Sequence, residues 1–71
     1  MVLERRLDWD DTFEIVKALQ RQHPQVDFEE LSLGTLLEWI VALPEFGGDQ
    51  SLVNDDILIQ IFNEWFEEMN L

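Results

Sequence analysis

The stretch NDDILIQIFNEWFEEM, residues 54–69, decides the fold class of this chain. Ile57, Leu58, Ile61, Phe62, Trp65 and Met69 fall at i, i+1, i+4, i+5, i+8 and i+12, a broad stripe that a 3.6-residue period turns toward a core. Asn54 stands where a side-chain acceptor can cap the first N–H groups. Asp55 and Asp56 follow in the first turn, where the positive helix end favours acids. A helix over about 55–69 is the expectation.

Outward from that helix the pattern is punctuated. Residues 44–53 read as a loop, with Gly47-Gly48 free to adopt positive φ. Before it, Thr35 and Glu38 have capping-box spacing, Leu36, Trp39, Ile40 and Leu43 mark one face, and Pro44 stops the run. A second helix over 35–43 follows from this. Ser32 and Gly34 read as breaks, Leu31 and Leu33 as two or three extended residues, and Asp27 with Glu30 as the start of a single helical turn.

A further helix starts at Asp11, paired with Glu14 three residues on, and carries Ile15, Val16, Ala18 and Leu19. It should end by Gln22, because the residue before Pro24 is pushed out of helical geometry. Residues 1–8 show no clear period and are expected to form a flexible or loosely attached segment, with 9–71 as one compact domain. The fold class is therefore mainly α: a small three-helix domain with short irregular or strand-like segments.

Charge is distributed very unevenly. Arg5, Arg6, Lys17 and Arg21 are the only lysines and arginines, and the fifty residues after Arg21 carry eleven carboxylates toward the formal −12. A one-sign surface costs stability through self-repulsion, so it points to a positive partner, either a basic protein or a cation. The same charge argues against nucleic acid, whose binders need Lys and Arg to neutralise phosphates. No apolar run approaches the ~18–20 residues needed to span a bilayer, and no export-type apolar stretch follows Arg5 and Arg6, so a cytoplasmic protein is expected. Eight aromatics supply a core that a disordered acidic tail would lack.

Three acidic groups are candidates for function. Around the start of the first helix lie Asp8, Asp10, Asp11 and Glu14; capping accounts for Asp11 and Glu14 but not for Asp8 and Asp10. In the first turn of the last helix lie Asp55 and Asp56, for which capping suffices. Near its end Glu64, Glu67 and Glu68 are related by i+3 and i+4. Like charges at that spacing repel by roughly 0.2–0.5 kcal/mol per pair, and the negative helix end disfavours them again. Such a cost is expected where function outranks stability. Without cysteine, and with His23 as the one imidazole, at a helix end and expected to be exposed, the donors suit a hard cation bound through oxygen. The metal candidates are Asp10, Asp11, Glu64, Glu67 and Glu68. Three glutamates on one helix face cannot enclose an ion, so its affinity should be weak. Catalysis is not expected, since the chain offers no nucleophile–base pair and no phosphate loop.

Laid out in order, these positions resemble the IscX (YfhJ) family of iron–sulfur cluster assembly. The match runs through Trp9 with Asp10 and Asp11, Ile15, Ala18-Leu19, Pro24 and Asp27. It continues through Trp39-Ile40, Leu43, Phe46, Asp49, Asn54, Ile57-Leu58, Ile61, Trp65 and Glu67-Glu68. The resemblance implies a modified winged-helix fold and an acidic adaptor or regulator that binds the cysteine desulfurase IscS. It also implies weak, labile iron binding and competition with frataxin for the desulfurase. Family acids match at Asp11, Asp49, Asp55 and Glu68, and on that ground Asp49 and Asp55 join Asp8, Asp10, Asp11, Glu14, Glu64, Glu67 and Glu68 as partner-binding candidates. One departure stands out: after Phe46 the family has a run of aspartates and a proline, whereas Gly47-Gly48-Asp49-Gln50 keeps one acid. The alternative from another class is an acidic DNA mimic or other interaction module; a winged-helix nucleic-acid binder ranks below both.

Overall fold

Three amphipathic segments in so short a chain have one economical solution, in which each buries its stripe against the other two. A computed structural model describes residues 6–70 and takes that form. The helices are α1 (Thr12–Gln22), α2 (Leu33–Val41) and α3 (Asp55–Met69), with a single 3₁₀ turn at Gln50–Leu52. Helix α3 packs on both others, and α1 also touches α2. No strand forms among the described residues; one isolated parallel bridge joins Leu7 to Phe46.

Helix α3 matches the expected bounds, and the Asn54 side chain accepts the Ile57 N–H at 2.9 Å. Its buried residues are Leu58, Ile61 and Trp65, joined in the core by Ile15, Val16, Ala18 and Leu19 of α1, Leu36 and Ile40 of α2, and Leu43. Each fully buried large side chain contributes about 1.5–3 kcal/mol of transfer free energy. Met69, expected on the same stripe, is instead 41% exposed at the last turn. Trp65 is the largest fully buried side chain, and its indole N–H finds no hydrogen-bond partner among the described residues.

Helix α2 corrects the expectation of 35–43. Ser32 is no break but the N-cap: its backbone is extended, and its Oγ accepts the Thr35 N–H at 3.1 Å. The helix therefore starts at Leu33, takes in Gly34, and leaves Leu31 and Leu33 without a strand. The Ser–x–x–Thr pair outranked Thr35–Glu38 because Ser32 lies where the chain is extended just before the apolar face. The Asp27 turn forms as expected, with the Glu30 N–H bonded to the Asp27 carbonyl and the Glu29 N–H to its carboxylate.

Gly47 and Gly48 also act differently from the expectation, since no described glycine has positive φ. Both are needed for close approach. A Cβ on Gly47 would lie 2.8 Å from Arg6 Cδ, and one on Gly48 would lie 2.5 Å from Phe46 Cζ. Leu7, next to Arg6, joins this loop through its backbone. Its N–H donates to the Glu45 carbonyl at 2.7 Å, its carbonyl accepts the Gly47 N–H at 2.8 Å, and its side chain is buried. Of the segment expected to be loose, residues 1–5 lie outside the described residues, whereas Leu7 belongs to the core.

Candidate functional site

The acids before α1 form a self-bonded turn. The Asp8 N–H donates to Asp11 Oδ2 at 2.9 Å, the Asp11 N–H donates to the Asp8 carbonyl at 3.0 Å, and the Asp8 carboxylate accepts the Trp9 N–H at 2.7 Å. Asp11 holds the N-cap position as expected, but its carboxylate makes no capping bond to α1, being turned back toward Asp8. Capping thus does not account for its side chain. Glu14 is half-buried in the first turn.

Trp9 fixes where this turn meets the rest of the molecule. It is buried, its ring meets Phe46 edge-on at 4.7 Å, and its indole N–H donates to the Asp49 carbonyl at 2.8 Å. That bond pins the 44–53 loop beside the turn, so Asp8 and Asp49 occupy one end of the bundle. The Asp49 carboxylate accepts the Ser51 N–H at 2.9 Å and the Ser51 hydroxyl at 2.8 Å, and these bonds hold its pKa below the ordinary 3.8. Periodicity could not reveal this pairing across forty residues; a tryptophan among aspartates was its only trace in the sequence.

On α3, Glu64, Glu67 and Glu68 fall within an arc of about 100° by helical geometry. Glu67 is exposed, and Glu64 and Glu68 are half-buried. Among the described residues no cation is paired with these glutamates. Arg21 donates to Glu45 at 3.1 Å, Lys17 lies 5.2 Å above the Phe13 ring, and Arg6 runs along Gly47. Asp10 is exposed and shares a shallow cleft of about 300 Å³ with Trp9, Thr12, Ile57 and Gln60. It therefore faces the middle of α3, one turn before Glu64. Asp55 is exposed at the start of that helix. Asp55 and Glu68 are separated by about 20 Å of helix, well beyond the ~8 Å Debye length at physiological salt. At 100° per residue Asp55 and Glu64 lie on opposite faces of α3, so the acids form separate groups rather than one continuous side.

Among the described residues, no group of three or more His, Cys, Asp or Glu side chains lies close enough to hold a metal ion. The structure does not gather Asp10, Asp11, Glu64, Glu67 and Glu68 into one shell. A hard cation prefers six or more oxygens, so one held here by one or two carboxylates would keep most of its water.

His23, expected to be exposed, is half-buried as the C-cap of α1 and stacks on Trp39 at 3.7 Å with an interplanar angle of 8°. Its spacing from Trp39 carried no local signal, because the contact is made by the return of α2.

Comparison with known proteins gives a consistent result. The model of a family described as iron–sulphur cluster assembly matches residues 7–70. A Pseudomonas aeruginosa protein described as uncharacterized is 36% identical over 62 residues, covering 87% of this chain and 94% of that protein.

Proposed function

Because this chain belongs to the iron–sulphur cluster assembly family, the IscX/YfhJ family, we propose that it is a non-catalytic acidic adaptor that docks on the cysteine desulfurase IscS. Membership supports a role in iron–sulphur cluster assembly, and the desulfurase is the finer step. The observation that carries it is the α3 face: Glu64, Glu67 and Glu68 stay without a cationic neighbour among the described residues, although four cations exist in the chain. A fold that leaves such repulsion uncompensated presents it to something positive. Asp8, Asp10, Asp11, Glu14, Asp49 and Asp55 offer further carboxylates to a basic surface in this reading. Sharing of the desulfurase with frataxin follows if both use its basic surface. Iron is cargo in this reading, held loosely by one or two carboxylates and water, with no step routed through it.

Calorimetry of this chain with the desulfurase tests the proposal. Affinity should fall steeply between about 50 and 300 mM salt, because charge complementarity is screened. Binding that ignores salt, or no binding at low salt, overturns it. Sub-micromolar DNA affinity at low salt would favour a nucleic-acid role instead.

A further inference from the structure

A cleft with no α3 residue in its lining lies between the α1–α2 connection and α2. It holds about 440 Å³, and its walls include His23, Val26, Asp27, Glu30, Thr35 and Trp39. The wall is mostly apolar, with the stacked His23–Trp39 pair as its flat element. Asp27 and Glu30, both exposed, are part of its lining, and no described lysine or arginine lines it.

Those features select one kind of occupant. An apolar aromatic wall removes water from a flat group, and two acids in the lining with no lysine or arginine beside them favour a cationic one. A neutral or anionic chain would gain nothing from Asp27 and Glu30, and a second copy at −12 would be repelled. Lysine satisfies the charge, but its compact, strongly hydrated ammonium loses more on leaving water than a guanidinium does. A guanidinium also stacks on aromatic faces while its N–H fork reaches carboxylates. We infer that this cleft receives an arginine side chain projecting from a basic partner protein, as an anchor distinct from the acidic face of α3. The Glu29–Asp27 bond fixes the orientation of one lining carboxylate, so part of the ordering cost is met before binding.

The test uses the full chain at pH 8 and low salt, titrated with a capped Gly-Arg-Gly peptide and followed by amide and indole resonances. Saturable shifts are expected at Trp39, Val26 and Thr35, with a dissociation constant of about a millimolar for so small a ligand. The citrulline peptide, isosteric but uncharged, should bind several-fold more weakly. Glu30→Gln, an exposed change that leaves the fold intact, should weaken the arginine peptide about two- to fivefold, the size of one exposed ion pair. Equal binding of citrulline, shifts confined to α3, or no saturable shift at tens of millimolar would each overturn the inference. Because the peptide assay contains no desulfurase, its result is independent of the adaptor reading above.

Discussion

A methyl group added at Gly48 would sit 2.5 Å from Phe46 Cζ and 3.0 Å from the Asp8 carboxylate, whereas one at Gly34 would meet nothing closer than Ser32 Oγ at 3.9 Å. Gly48→Ala should therefore destabilise by about 1–3 kcal/mol, as overpacking does, by pushing Phe46 off Trp9. Gly34→Ala should stabilise by about 0.5–1 kcal/mol, because it lies inside α2 and restricts the unfolded chain. Urea unfolding of the two variants checks the opposite signs. Asp49 gives a pH dependence at the same scale. Its folded pKa lies below the ordinary value because of the Ser51 amide and then the Ser51 hydroxyl. The unfolded chain then binds more protons at this carboxyl than the folded chain does. Its contribution is complete above the ordinary value of 3.8, and is lost as pH falls through the folded one. The stability gap between the native chain and Asp49→Ala should narrow from pH 7 to pH 3; a constant gap would show that the Ser51 bonds do not matter. Asp49 was legible as a family acid, but its bonds were not, since a turn two residues long has no periodic signature.

At the scale of elements, α3 sets stability against use. Glu67 stands i+3 from Glu64 in the last turns, near the negative end of a helix without a basic residue in its last turn. Glu67→Lys converts an i+3 repulsion into an attraction and complements the helix end, so it should stabilise by roughly 0.3–1 kcal/mol. The same change should weaken desulfurase binding. Thermal melting and calorimetry on one variant read both effects, and a variant that gains in neither would refute the trade-off. Helix α2 shows where element reading fails. Two caps, Ser32 and Thr35, competed within three residues, and local spacing alone favoured the later one. Ser32 won because its extended backbone lets Oγ reach the Thr35 amide, an outcome that depends on how the preceding Asp27 turn delivers the chain.

For the whole molecule, one cause predicts two opposite responses to salt. Screening relieves the self-repulsion of a chain at −12, so the melting temperature should rise between about 20 and 300 mM salt. Binding to a basic desulfurase should fall over the same range. A melting temperature that drops with salt would mean the acids are compensated within the fold. The three helices, the identity of most core residues and the lopsided charge were determined by the sequence alone, because 3.6-residue periodicity and charge counts are properties of neighbouring residues, and the family was legible in the ordered set of matching positions. Tertiary structure decided how the acids group: Trp9 ties Asp49 to the Asp8–Asp11 turn, Asp10 borders the middle of α3, and no metal cage closes among the described residues. It also made the His23–Trp39 wall. Those features depend on which side chains meet across the core, and the distances between residues far apart in sequence exist only once the hydrophobic stripes have packed.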